Sequence, residues 1–276
     1  MVMKHSEADP IRATAVTTIR GTLAVWEAEP GSENSIHEVR VCTKKLRAYL
    51  RAYPDKAPIN AANRQLKLLA DNYGGLRDAQ VKYATLRRLI WDWSPKKRKK
   101  FNGVIDHIAH AKKNQEIELT PLDPRVAFEE ILRVWPNLDA KPGTWFSSFD
   151  RLYLKSRYLG EVALKSNEDE TYHRWRKWVK YWLYCLTGLS KGKVPSDYEK
   201  RLQRLGESLG QFHDVCVLEQ ALTAPDVQHQ FGQELKPFYK MIKAEKKAMK
   251  KSYKKAFKSL FKVPRKKREL MLGGYS

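Results

Sequence analysis

Apolar residues recur along most of the chain at the three- and four-residue spacing of amphipathic helices. Clustered glycines and prolines divide this pattern into predicted helices at residues 10–26, 34–53, 61–91 and 95–117, and again at 144–166, 170–188, 196–222 and 231–262. The third contains Gly74-Gly75, where we expect a kink. Residues 119–143 are rich in proline and are predicted to be a linker with one short helix. No segment alternates like a strand, so the sequence predicts an all-α fold.

The two runs of helices align with each other when the sequence is shifted by 136 residues. The identical pairs are His37 and His173, Arg40 and Arg176, Lys44 and Lys180, Leu50 and Leu186, Leu66 and Leu202, Leu69 and Leu205, Gly74 and Gly210, Asp78 and Asp214, and Val81 and Val217. We therefore divide the chain into internal repeats 9–118 and 144–262, the linker 119–143 and a basic tail 263–276. Duplication of a helical unit for stability alone would give the same alignment.

The second helix of each repeat carries a stripe of cations opposite its apolar face. At 100° per residue, five side chains of the first repeat fall within about an 80° arc: His37, Arg40, Lys44, Arg47 and Arg51. The stripe in the second repeat is shorter and consists of His173, Arg176 and Lys180, with Lys177 beside it. Solvated helix faces usually mix acids with bases, because pairs of opposite charge stabilise a helix. The first stripe has no acid, so we interpret the stripes as anion-binding surfaces.

Net charge supports an anionic partner. The 276 residues include 53 Lys and Arg against 31 Asp and Glu, a formal charge of +22. Self-repulsion of this size indicates a polyanion: nucleic acid, inorganic polyphosphate or an anionic membrane surface. The stripe places a cation about every 5 Å along the helix axis, which suits a linear anion. A second row of cations on the last predicted helix, including Lys247, Lys251 and Lys254, is interpreted as a landing surface for it.

Known catalytic motifs are missing from the sequence. It contains no phosphate-binding loop, no dinucleotide fingerprint and no nucleophile elbow. The neighbours of His37 and His173 are cations, which repel a divalent ion, so we predict no metal, no cofactor and no catalysis. No 18-residue apolar segment occurs and the N-terminus lacks the apolar core of a signal peptide. Three cysteines without a CxxC pair complete the expectation of a cytoplasmic protein that does not insert into membranes.

Four stretches, taken together, resemble the CHAD family of histidine-containing α-helical domains: IHEVRVCTKKLRAYL, LLADNYGGLRDAQV, YHRWRKWVKYWLYCL and RLGESLGQFHDVCVLE. The resemblance covers nearly the whole chain, which we identify as a single CHAD domain over residues 1–276. It implies two four-helix bundles related by pseudo-two-fold symmetry around a basic central channel. It also implies non-catalytic binding of inorganic polyphosphate by channel residues, here His37, Arg40, Lys44, Arg47, His173, Arg176 and Lys180.

The two halves depart from each other at two positions of this pattern. Leu183 stands where the first repeat has Arg47, and Arg77 stands where the second has His213, so we expect unequal contributions. The full predicted polyphosphate-binding set adds Lys45, Arg51, Arg77, Lys177, His213, Lys247, Lys251 and Lys254. A nucleic-acid-binding protein is the alternative, with nucleic acid as a weaker polyanion. We further expect association with polyphosphate granules, and tighter polyphosphate binding as the pH falls from about 7.5 to 6 through protonation of histidine.

Overall fold

The computed structural model describes residues 10–53, 57–118, 122–135, 144–190 and 194–271, and the regular elements in these ranges are all helical. The all-α prediction is therefore confirmed for this part of the chain. A short 3₁₀ turn, Gly232–Leu235, precedes α12. The α-helices are α1 (Pro10–Ala28), α2 (Glu33–Leu50), α3 (Ala57–Asn72), α4 (Gly74–Leu89), α5 (Pro95–Lys100), α6 (Asn102–Glu118), α7 (Pro124–Arg133), α8 (Thr144–Ser166), α9 (Asp169–Leu189), α10 (Ser196–Leu222), α11 (Pro225–Phe231), α12 (Lys236–Leu260) and α13 (Arg265–Met271).

The helices that carry the stripes, α2 and α9, bury the apolar faces that the sequence predicts. Ser32 caps α2, because its Oγ accepts a hydrogen bond from the Ser35 amide at 3.1 Å. The core-facing side chains of α2 include Val39, Leu46 and Leu50, and those of α9 include Trp175, Val179, Trp182 and Leu186. The cationic stripes are thereby left on the opposite faces.

The first repeat contains a helix break where the second repeat has a continuous helix. Tyr73 separates α3 from α4, with φ −92° and ψ 6°. Its ring is buried and its hydroxyl donates to the carbonyl of Leu122. The kink predicted at Gly74-Gly75 is thus a complete break one residue earlier, whereas α10 runs unbroken over the equivalent positions.

Helix contacts join the first half of the chain to the second, and two of them are extensive. Helix α2 packs against α9, and α4 packs against α10. At the first contact the Cys185 thiol donates to the carbonyl of Ala48 at 3.2 Å. Gly188 permits close approach there, because a Cβ atom at this position would lie 2.6 Å from the Tyr49 hydroxyl oxygen. Both contacts pair segments that are equivalent in the repeat, and they bring the cations of α2 close to those of α9.

The start of the predicted basic tail is a packed helix over its described residues. Arg268 of α13 is buried, and its Nε donates to Asp150 Oδ1 of α8 at 2.6 Å. Its guanidinium also lies over the Tyr153 ring, 4.4 Å from the centroid. Residues 272–276 lie outside the described part of the chain. Within that part, none of the helices has the length and apolar character needed to cross a bilayer.

Candidate anion-binding site

Arg40 and Arg176 occupy the same position in the two repeats and are both half-buried. Arg40 donates from Nη1 to the carbonyl of Ala70 at 3.3 Å, and Arg176 lies beside Gly210, where a Cβ atom would be 3.8 Å from its Nε. The Nε atom of each arginine is buried without a hydrogen-bond partner. A buried Nε cannot be reached from outside, so an external anion would contact the part of each half-buried guanidinium that stays open to solvent.

Lys44 and Lys180 extend the same site along the two helices. Burial lowers the pKa of Lys44 to about 8, assisted by the positive charges of Arg176 and Arg40. Lys44 is nevertheless open to water, so its ammonium lies in a hydrated recess of the protein. Burial, and then Arg176, also lowers the pKa of Lys180. Its side chain passes Gly206, where a Cβ atom would lie 3.3 Å from Cε.

We call Arg40, Lys44, Arg77, Arg176 and Lys180 the cationic cluster. Among the described residues, no carboxylate lies at ion-pair distance from any member. Asp214 is close enough to interact electrostatically: burial raises the pKa of its carboxyl, while Arg176 and Arg77 act in the opposite direction. Asp78 acts on Arg40 in the same long-range manner. The cluster therefore keeps an excess of positive charge that contacts inside the protein do not neutralise.

Histidines of the second repeat form a contact beside the cluster. The Nδ1 atoms of His173 and His213 are 3.0 Å apart, so one ring donates a hydrogen bond and the other accepts it. Burial lowers the pKa of His213 to about 3, with Arg176 as the next cause. Burial and then Lys177 lower the pKa of His173. Both rings are therefore neutral at pH 7 in the free protein.

The first repeat replaces this histidine pair by a histidine and an arginine. Burial and then Arg77 lower the pKa of His37. Among the described residues, no three His, Cys, Asp or Glu side chains converge as metal ligands. The rings of His37, His173 and His213 can donate hydrogen bonds to an anion once they are protonated.

The C-terminal end of the α2 stripe leads into different surroundings. Arg47 donates from Nε to Asn63 Oδ1 of α3 at 3.0 Å. The Arg51 guanidinium lies over the rings of Tyr181 and Trp178 of α9, at 4.5 and 5.3 Å from their centroids. On the facing helix, aromatic rings thus stand opposite Arg51 in place of a continued cationic stripe.

The remaining predicted residues are more dispersed. Lys177 is exposed, and its charge lowers the pKa of both His173 and His213, which puts it next to the cluster. Lys45 is half-buried and acts on the Cys42 thiol. The predicted landing surface is exposed on α12, a helix packed against α8 and α10, and it comprises Lys247, Lys251 and Lys254. No interaction among the described residues joins these three lysines to the cationic cluster.

Two features of the site were not predicted from the sequence. Gly206 and Gly210 give space to Lys180 and Arg176, although the alignment of Gly74 with Gly210 was a signal for the second glycine. The contact between His173 and His213 depends on how α9 packs against α10, and no local pattern indicates it.

Comparisons with known proteins bear on the family and the fold. A family model described as "CHAD domain" matches residues 15–223. The crystal structure of the CHAD domain from the plant Ricinus communis superposes with a TM-score of 0.57 at 20% sequence identity, covering 95% of this chain and 90% of that chain. At this identity the likeness shows a shared fold. No curated protein matches the sequence.

Proposed function

Because this chain belongs to the CHAD family, as the match over residues 15–223 shows, we propose that it binds inorganic polyphosphate without changing it chemically. The proposed site is a basic channel between two four-helix bundles related by pseudo-two-fold symmetry. The observation that carries the proposal is the pair of half-buried guanidiniums of Arg40 and Arg176, neither of which has a described carboxylate at ion-pair distance. A phosphate oxygen between the two helices would accept hydrogen bonds from both.

Electrostatic coupling between the helices supports a ligand that contacts both. The pKa of Lys44 on α2 is lowered first by burial and then by Arg176, with a further contribution from Lys180 on the same facing helix. Cations that repel each other across a recess are stabilised when an anion occupies it. Lysine supplies a mobile point charge and arginine a planar fork of donors, so together they fit a chain of tetrahedral phosphates without requiring one register.

Polyphosphate fits the described residues better than nucleic acid does, because the site offers charge without stacking surfaces. Trp175 and Trp182 of α9 are fully buried and cannot stack on bases. Among the tryptophans whose side chains are described, Trp91 is the most exposed, at 70%, and it precedes the exposed cations of α5. Nucleic acid therefore remains the second candidate, with contacts at that separate surface.

Competition between the two polymers tests the proposal. Long-chain polyphosphate is expected to displace labelled DNA at a phosphate concentration at least about tenfold lower than DNA needs to displace labelled polyphosphate. The physical reason is that the cluster matches closely spaced phosphates, whereas DNA gains mainly from non-specific neutralisation. Titrations with polyphosphates of defined length, monitored by calorimetry at one salt concentration, supply the affinities. Equal displacement, or preferred binding of DNA, would contradict the proposal.

A pH profile of polyphosphate affinity follows from Lys44. Its pKa is about 8 in the free protein, and bound phosphate raises this pKa because the anion stabilises the ammonium. Affinity is therefore highest where Lys44 is already protonated and falls as the pH rises through 8. One pKa unit corresponds to a factor of ten, so calorimetry is expected to show an affinity about tenfold lower at pH 9 than at pH 7.

The control for this profile is Lys44→Arg, which stays charged over the whole range. Its affinity should change less than about twofold between pH 7 and 9. Histidines add a second window at lower pH: burial and neighbouring cations lower the pKa of His37 and His173 below the reference value of about 6.5 in the free protein. A bound anion raises it, so protons are taken up on binding between the free and the bound pKa. A wild-type profile that matches that of Lys44→Arg would show that Lys44 does not change its protonation on binding in this range.

We propose that this binding takes place in the cytoplasm, in association with polyphosphate granules. Support comes from the cysteines, which are all unpaired: Cys42 and Cys185 are buried, and Cys216 is half-buried. Cysteines used as small packing residues are typical of a reducing compartment.

A further inference from the structure

A second cationic cleft of about 510 Å³ lies where α2, α3, α8 and α9 meet. Three arginines line it, namely Arg47 and Arg51 of α2 and Arg151 of α8. None of its described lining residues is an acid. The volume is within the range of small-molecule sites, about 300–1,000 Å³. Three guanidiniums without a carboxylate form a site that only an added anion can neutralise.

Neutral groups hold two of these arginines in place. Arg47 donates from Nε to Asn63 Oδ1 at 3.0 Å. Arg151 donates from Nη2 to the carbonyl oxygens of Arg51 at 3.3 Å and Tyr53 at 3.5 Å. These bonds fix each guanidinium by one edge and leave its charge uncompensated, so the remaining donors are oriented before a ligand arrives.

The third arginine, Arg51, is held by aromatic faces. Its guanidinium lies 4.5 Å from the ring centroid of Tyr181 and 5.3 Å from that of Trp178. Its Nε is buried and has no hydrogen-bond partner. Stacking of this kind holds the planar guanidinium in position without offering any acceptor to its donors.

The other walls of the cleft are largely apolar, which separates it chemically from the cationic cluster. The amides of Asn60 and Asn63 line it beside the apolar side chains of Leu50, Tyr53, Ile59, Leu152 and Trp178, of which Ile59 and Trp178 are half-buried. Inorganic polyphosphate has no apolar part that could cover such walls. A ligand that fills the whole cleft therefore joins phosphate groups to a flat, largely apolar ring.

We propose that this cleft binds an organic phosphate of the nucleotide type. Its phosphates contact Arg47, Arg51 and Arg151, and its ring packs against Ile59 and the exposed part of Trp178. No member of the cationic cluster takes part, so the site is distinct from the proposed polyphosphate channel. In the sequence, Arg47 and Arg51 nevertheless belong to the same helical stripe as Arg40 and Lys44.

Calorimetry with two probes of equal phosphate number tests this site. ADP is expected to bind the full chain at least about tenfold more tightly than pyrophosphate, because only ADP covers the apolar walls. Arg151→Gln should weaken ADP binding about tenfold or more through loss of a charge-assisted contact, with polyphosphate affinity changed less than twofold. Equal affinities for ADP and pyrophosphate, or unchanged ADP binding in Arg151→Gln, would overturn the proposal.

A second variant and a competition experiment guard against a folding artefact. Arg151→Gln removes two hydrogen bonds to the end of α2, so Arg47→Gln, which loses only the bond to Asn63, is measured beside it and should also weaken ADP about tenfold. Saturating polyphosphate should leave the ADP affinity within twofold. Full displacement of ADP by polyphosphate would mean one continuous anion site and would refute a separate cleft. If variants of the cationic cluster lose polyphosphate binding while ADP binding is unchanged, that result concerns the proposed channel and leaves the cleft proposal standing.

Discussion

Replacing both Arg40 and Arg176 by glutamate is expected to reduce polyphosphate affinity by about 1,000-fold or more. Each arginine contributes charge-assisted hydrogen bonds of about 1.5–3 kcal/mol to an anion, and the substitution adds repulsion between carboxylate and phosphate. The effect should be large because these side chains come from opposite sides of the site. Calorimetric titration with long-chain polyphosphate at fixed salt measures it.

The same double variant should melt close to the wild-type temperature or above it. Neither guanidinium is paired with a described carboxylate, and the reversal relieves repulsion with Lys44, whose pKa is lowered by burial and then by Arg176 and Arg40. Lys96→Glu with Lys99→Glu is the matched control, because it changes the net charge equally at exposed positions of α5. It should lower affinity less than about fivefold. A collapse of the melting temperature in the arginine variant would make these residues structural.

Gly160→Ala is expected to lower the free energy of unfolding by about 2 kcal/mol. A Cβ atom at Gly160 of α8 would lie 2.7 Å from the Phe257 ring of α12 and 2.8 Å from the Trp175 ring of α9. Overpacking of this kind costs about 1–3 kcal/mol, and the fully buried Trp175 has little freedom to move. In a chain of this size the loss corresponds to a drop of about 4–8 °C in melting temperature, measurable by scanning calorimetry.

Gly21→Ala provides the matched control for this prediction. Gly21 lies within α1, and a Cβ atom there would have no neighbour within 4 Å. The substitution should raise stability by about 0.5–1 kcal/mol, because alanine has less backbone freedom to lose in a helix. Equal effects of the two substitutions would show that α8, α9 and α12 pack less closely at Gly160 than described.

The helices and the cations of the site were predictable from local patterns. Arg40 and Arg176 share a stripe with Lys44 and Lys180 because helical spacing alone fixes which side chains lie on one face. The break at Tyr73 was indicated by the neighbouring glycines, although its position depends on the contact of the Tyr73 hydroxyl with a distant carbonyl.

Features that depend on packing between helices were beyond the sequence. The ring contact of His173 with His213 arises only when α9 lies on α10. The aromatic faces that receive Arg51 belong to residues more than a hundred positions away, so the stripe predicted for α2 could not reveal that its end enters a different cleft. Likewise, the segment around Arg268 has the sequence of a charged tail, but in the structure it is a helix whose Arg268 is buried against Asp150.

The close contact of α2 with α9 has a consequence for how the duplicated chain folds. Apolar side chains of both repeats belong to one buried cluster that includes Tyr49 and Cys185, and the second cluster also draws on both halves, with Leu86 and Val215 among its members. Neither repeat has a core of its own, so each would expose a large apolar surface if made alone. Because the buried clusters span both repeats, we expect the chain to unfold as one cooperative unit.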